Sequence, residues 1–124
     1  MAKRILVVED NDLNRKLFGD LLKANGFAVE PLADGRDVLV RAREFVPNLI
    51  IMDIQLPNIS GLELIEALKG DPELRLIPVL AVTAYAGKGD EERIRLTGAE
   101  GYLSKPVSIG PFMAAVRGLI DKAN

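Results

Sequence analysis

Three short stretches of this chain are apolar at every position: Ile5-Leu6-Val7-Val8, Leu49-Ile50-Ile51-Met52 and Val79-Leu80-Ala81-Val82. A strand with one face in water alternates apolar and polar residues. A strand covered on both faces does not, and continuous apolar runs of this length belong in a parallel sheet with helices on either side. Two weaker stretches read as further strands, Phe27-Ala28-Val29-Glu30-Pro31-Leu32 and Gly101-Tyr102-Leu103. Pro31 has no N–H to give to a ladder, which places the second strand at an edge. The last is short and belongs at the opposite edge.

Between these runs the period becomes helical. Leu13, Leu17 and Leu21 recur every four residues, with Phe18 and Leu22 beside them, and Gly26 supplies a stop. Asp34 is positioned to cap a second helix whose inner face carries Val38, Ala42 and Phe45, and Pro47 follows its end. Leu62, Ile65 and Leu68 mark a third helix. Asp90-Glu91-Glu92 suits the N-terminus of a fourth. Ser108 is placed as the N-cap of a fifth, with Phe112, Val116 and Leu119 inward and Pro111 in its first turn. Strict alternation of strand and helix gives an α/β, doubly wound, five-stranded parallel sheet. With strands 1, 3 and 4 inside and 2 and 5 outside, the order 2-1-3-4-5 satisfies the burial pattern. One domain over residues 1–124 is expected, with no output domain after the fifth helix.

Composition narrows the chemistry. The chain of 124 residues has no Cys and no His, which excludes disulfides, thiolate or imidazole metal sites, a Ser-His-Asp hydrolase and a phosphohistidine carrier. A net charge of −2 from 16 basic and 18 acidic residues leaves no basic footprint for nucleic acid. No apolar run approaches the roughly 20 residues that span a bilayer, and the apolar stretch after the basic start is too short for a signal peptide. A cytoplasmic protein without direct membrane or nucleic-acid binding is expected.

In a sheet of this order, ligands bind at the carboxyl ends of the strands near the point where strand order reverses. Glu9 and Asp10 follow strand 1, Asp53 ends strand 3, Thr83 ends strand 4 and Lys105 follows strand 5. Each has an ordinary reading taken alone: a helix cap, a turn residue, a strand end, a solvated loop cation. All of them at one end of an apolar sheet is far less ordinary. Carboxylates gathered together repel, and a divalent cation removes that cost. Oxygen-only ligands favour magnesium, calcium or manganese. A carboxylate nucleophile, a metal, a lysine and a hydroxyl are the parts that phosphoryl transfer to an acid requires.

The segments VVEDN (7–11), IIMDIQLPNISGLELI (50–65), VTA (82–84) and SKP (104–106) resemble, in order and spacing, the signature of response-regulator receiver domains, whose fold is flavodoxin-like. The match runs over essentially the whole chain. EDNDLNRKLFGDLL (9–22) and KGDEERIRLTG (88–98) look most like the single-domain regulators of cell division within that family. The resemblance implies a phosphoacceptor at Asp53, and magnesium bound by Asp10, Asp53 and the Gln55 backbone carbonyl, with Glu9 acting through water; manganese or calcium would substitute. It further implies Lys105 paired with the phosphoryl group, Thr83 bonded to it after transfer, Tyr102 as the aromatic switch residue, and a cis Lys105-Pro106 peptide. Gln55 and Tyr85 fall where the family tunes dephosphorylation. The implied partners are sensor histidine kinases, membrane-bound ones included, which act as phosphodonors, phosphatases or regulated targets. The protein itself would be a monomer and no turnover enzyme. The donor would dock near helix 1 and the loop after strand 5, close to Asn14, Leu17 and Phe18, although Leu17 and Phe18 also read as core. Helix 4, strand 5 and helix 5 would form the output surface, with Arg93 and Arg95 on it.

Two other readings fit the same topology less well. A small aspartyl-phosphate phosphatase of the haloacid dehalogenase kind places Asp-x-Asp after strand 1, whereas Asp53-Ile54-Gln55 follows strand 3 here. A flavodoxin-like cofactor module needs a hydroxyl- and Gly-rich loop where this chain has Glu9-Asp10-Asn11-Asp12. Gly87-Lys88-Gly89 lacks the spacing of a nucleotide loop.

Overall fold

A computed structural model describes residues 2–84, 87 and 89–122. The elements alternate without exception: β1 (Arg4–Val8), α1 (Asp12–Ala24), β2 (Ala28–Leu32), α2 (Val38–Phe45), β3 (Leu49–Asp53), α3 (Gly61–Gly70), β4 (Val79–Thr83), α4 (Asp90–Leu96), β5 (Gly101–Ser104) and α5 (Ile109–Lys122). All four pairings are parallel and the order is β2-β1-β3-β4-β5. Pro31 lies on edge strand β2, opposite Val7, and is exposed.

The continuous apolar runs have a simple cause. Successive side chains of a strand point to opposite faces. Ile5, Val7, Leu49, Ile51, Leu80 and Val82 pack on the α1/α5 side, together with Phe18, Leu22, Phe112, Val116 and Ile120. Leu6, Val8, Ile50, Met52, Val79 and Ala81 pack on the other side, against α2, α3 and α4 through Ala42, Leu64, Ile65, Leu68 and Ile94. Every position of the three apolar runs thus has a core to enter. Fully burying one such side chain stabilises the fold by about 1.5–3 kcal/mol.

The helices depart from expectation in phase and in caps. The buried stripe of α1 is Phe18, Gly19 and Leu22, while Leu13 and Leu17 are 66% and 55% exposed. Leu17 is therefore a surface residue, not core. Phe18 fixes the phase by stacking on Phe112 of α5, with ring centroids 4.9 Å apart. Asp34 does not cap α2. Its carboxylate accepts from the Arg36 N–H at 2.9 Å in a local turn and pairs with the Arg36 guanidinium. Helix α2 starts at Val38, with Asp37, three residues after Asp34, at the N-cap position and no side-chain cap. On α5, Ile120 completes the buried stripe and Leu119 is only partly buried. The Ser108 carbonyl accepts the first helical bond, from the Phe112 N–H at 3.0 Å.

Helix α3 sits where it does because of Gly61. Its N–H donates to the Ile54 carbonyl at 3.0 Å, and a Cβ there would collide with the Asp53 carbonyl oxygen and the Ile54 Cα. Ser60 caps the helix by accepting from the Leu62 N–H at 3.1 Å. This close approach pins the loop that follows Asp53.

Candidate functional site

The carboxyl ends of β1 and β3 and the loop after β5 bring Glu9, Asp10, Asp53 and Lys105 together. Glu9, Asp10 and Asp53 each offer a carboxylate oxygen within 4.8 Å of the others. Asp10 is exposed, whereas Glu9 and Asp53 are 1% and 2% exposed. Lys105 Nζ reaches both buried acids, at 2.9 Å from Glu9 Oε1 and 3.1 Å from Asp53 Oδ2. The Lys105-Pro106 peptide is cis.

The cluster is electrostatically short of positive charge. Burial, and then the neighbouring Glu9 carboxylate, push Asp53 up to about 6 against the opposing pull of the Gln55 N–H and Lys105. Burial works against the charge on Lys105, yet the Glu9 and Asp53 carboxylates outweigh it and raise the ammonium above its ordinary value. Glu9 Oε1 is buried and, among the described residues, has the ion pair with Lys105 but no aligned hydrogen-bond donor. Buried oxygens of this kind normally have donors. A carboxylate oxygen lacking one, beside two more carboxylates and no His or Cys, fits a hard divalent cation of the magnesium, manganese or calcium type.

Thr83, 1% exposed, ends β4 beside Asp53, which pairs with Val82 across β3 and β4. Tyr102 lies on edge strand β5 opposite Ala81, partly buried against the α2–α4 side of the core. Tyr85 lies outside the described residues. Asn14, Leu17, Phe18, Pro106 and Ile109 line a groove of about 800 Å³ between α1 and α5, with Lys105 at its border. Leu17 and Ile109 give it an exposed apolar rim. Arg93 and Arg95 on α4 are exposed, and each pairs within its own helix, with Asp90 and Glu91 respectively.

A reading of the sequence misses Arg15 altogether and, for Gln55, misses what its side chain touches. Arg15 reaches back from α1 to donate to the Glu9 carbonyl at 3.0 Å and to Asp12 at 2.5 Å, holding the acidic loop in shape. The Gln55 side chain crosses to β4, donating from Nε2 to Thr83 Oγ1 at 2.6 Å and accepting from the Ala84 N–H at 2.8 Å. The Arg15 contact has a weak local signal, a cation one turn past an acidic loop. The Gln55 contacts have none, because their partners lie 28 and 29 residues away.

Comparison with known proteins bears on this arrangement. The family model "Response regulator receiver domain" matches residues 5–117. The chain is 52% identical to the polar-differentiation response regulator DivK of Brucella ovis over 123 residues, covering 99% of this chain and 100% of that protein. The same identity and coverage hold for DivK of Brucella melitensis. Among solved structures, the CheY-like response regulator receiver domain protein of Methanospirillum hungatei superposes with a TM-score of 0.90 at 27% identity, over 99% of this chain and 97% of that one. Chemotaxis response regulator CheY4 of Vibrio cholerae gives 0.89 at 25% identity, over 96% and 99%.

Proposed function

The chain belongs to the response regulator receiver domain family, and from that premise we propose that Asp53 accepts a phosphoryl group from a phosphohistidine on a sensor histidine kinase. An Asp53 carboxylate oxygen attacks phosphorus, the P–N bond to the donor imidazole breaks, and the imidazole keeps the electron pair and takes up a proton. The observation that carries this reading is the meeting of buried Asp53 with Lys105 Nζ inside a three-carboxylate cluster at the sheet's switch point. Lys105 holds one carboxylate oxygen and stands ready to neutralise an incoming phosphoryl oxygen. Asp10, Asp53 and the Gln55 carbonyl would hold magnesium, with Glu9 reaching it through water. When bound, the ion supplies the charge that lets an anionic carboxylate and an anionic phosphoryl group meet. Thr83 would bond the transferred group, and Tyr102 would carry the change to the α4–β5–α5 face that partners read.

The groove between α1 and α5, bordered by Lys105, would seat the donor. The protein works in this reading as a monomeric, cytoplasmic, diffusible module over residues 1–124 that performs only its own phosphorylation and dephosphorylation. It binds kinases, some of them at the membrane, in cell-cycle and polar-differentiation control. Among the described residues no helix is long and apolar enough to cross a membrane.

The test is incubation with a small phosphodonor and magnesium, followed by mass measurement. Wild type gains one phosphoryl group. Asp53→Asn gains none while keeping its fold, and chelation of the metal abolishes the gain. Labelling of Asp53→Asn at wild-type stoichiometry overturns the assignment.

A further inference from the structure

Gln55 is the residue that ties the Asp53 carboxylate to the end of β4. Its backbone N–H donates to Asp53 Oδ1 at 3.0 Å. Its side chain spans the gap to the next strand, to Thr83 Oγ1 at 2.6 Å and the Ala84 N–H at 2.8 Å. The orientation of the amide is not arbitrary. The Ala84 N–H can only donate, so it must face the carbonyl oxygen of Gln55, and the NH₂ group is left for the hydroxyl. The contacts run from the β3–α3 loop to the last residue of β4 and the residue after it, so together they hold the end of β4 against that loop. Elsewhere along the β4–α4 junction the Thr83 carbonyl accepts from the Lys105 N–H at 2.7 Å and the Gly87 N–H donates to Asp90 Oδ2 at 3.0 Å, and neither contact reaches the β3–α3 loop. Helix α4 follows with Gly89 at its N-cap and no side-chain cap. A cavity of about 280 Å³, lined by Ile54, Gln55, Thr83 and Ile94 among others, lies beneath it.

We propose that the Gln55 carboxamide is a resting-state latch, which engages the Thr83 hydroxyl and the Ala84 N–H until a phosphoryl group on Asp53 draws them away. The inference rests on Asp53 being the phosphoacceptor. A phosphoryl group brings three strong acceptors and about −1.5 to −2 charge to the end of β3. The Ala84 N–H has one proton and cannot serve both the amide and the phosphoryl group. The Thr83 hydroxyl accepts from the Gln55 amide and has a proton of its own to donate, so turning its side chain toward the new charge stretches the 2.6 Å contact. Hydrogen bonds to a charged acceptor are roughly twice as strong as neutral ones, so the exchange runs toward the phosphoryl group. The latch thus sets how much of the phosphoryl interaction is consumed in opening, and with it the threshold for switching. This role is separate from any effect on how fast the phosphoryl group is hydrolysed.

The decisive variant is Gln55→Met, which keeps side-chain length and removes both hydrogen bonds; Gln55→Asn, one methylene too short to span the gap, serves as the second. Two readouts are taken on the whole chain: hydrogen exchange of the Ala84 amide in the unphosphorylated protein, and titration with beryllium fluoride and magnesium, a non-hydrolysable phosphoryl mimic. Both variants should exchange the Ala84 amide roughly three- to tenfold faster than wild type. They should also reach half-saturation at a mimic concentration lower by a similar factor. Unchanged exchange and an unchanged midpoint in both variants overturn the latch and leave the phosphoacceptor reading standing. If the wild type itself fails to bind the mimic at Asp53, the phosphoacceptor reading falls and the latch falls with it.

Discussion

The two ends of the sheet are built on opposite principles. At the amino ends of β4 and β5, Lys69 of α3 donates to the Arg75 and Ile77 carbonyls at 3.1 and 2.9 Å and pairs with Glu100 at 2.6 Å. The other oxygen of Glu100 accepts from the Val79 N–H at 2.8 Å. Both charges of that pair have further hydrogen-bonding partners, and Glu100 is partly open to water. At the carboxyl ends, two nearly inaccessible carboxylates share one lysine, a buried oxygen lacks an aligned donor, and Asp53 holds its proton unusually tightly. The first end fastens a helix and a loop to the sheet. The second is left deficient in positive charge, which is the condition for taking up a cation and a phosphoryl group.

The largest effect that should distinguish the ends is pH dependence without metal. Asp53 binds its proton more tightly folded, up to about 6, than an ordinary aspartate at 3.8. Its contribution is fully present below about pH 4 and is lost as pH rises through about 6. The loss is on the order of 3 kcal/mol. Chemical denaturation in the presence of a chelator, at steps between pH 4.5 and 7.5, should show wild type weakening relative to Asp53→Asn across that window. Parallel profiles for the two proteins would mean that the carboxyl end is not strained in this way.

A smaller effect should follow from metal. At a magnesium concentration 100-fold above its dissociation constant, binding to the folded state adds about 2.7 kcal/mol. Asp10→Asn removes a formal charge from the proposed ligand set, so at the same magnesium concentration most of that increment should disappear. The metal-free variant should be no less stable than wild type, since the substitution also relieves repulsion among the carboxylates. Equal thermal shifts on magnesium addition for both proteins would remove Asp10 from the site.

The two ends also differed in how readable they were. The sheet, its order and its edges followed from three runs with no polar residue and from Pro31, because a core on both faces imposes a strong local pattern. Positions at strand ends follow from topology, and so Glu9, Asp10, Asp53, Thr83 and Lys105 can be gathered from the sequence. Residue chemistry alone left the metal open, and the particular roles came from the resemblance. What stayed hidden is what depends on distant partners. Leucines every four residues on α1 offered two adjacent stripes, and only the Phe18–Phe112 contact across 94 positions chooses between them. Asp34 looked like a cap until its turn with Arg36 claimed it. The Gln55 amide contacts and the Lys69–Glu100 pair join residues 28 to 31 positions apart and leave no local trace.

The smallest effect concerns the satisfied end and serves as its control. Lys69 is 15% and Glu100 39% exposed at the side chain, so their attraction is screened on one side and each has other partners. Pairs in such settings couple weakly, and a double-mutant cycle of Lys69→Met and Glu100→Gln should return an interaction of about 0.5–1 kcal/mol. Each single substitution should cost somewhat more than the coupling. Lys69→Met also leaves the Arg75 and Ile77 carbonyls without their donor, and Glu100→Gln weakens the bond to the Val79 N–H. The informative feature is what these numbers should not do. Neither Asp53 nor the carboxylate cluster takes part in the network, so the coupling should be the same at pH 5 and pH 7.5 and with or without magnesium. A Lys69–Glu100 coupling that changes when magnesium is added would show that the two ends of the sheet communicate, and the division between a fastening end and a reactive end would have to be given up.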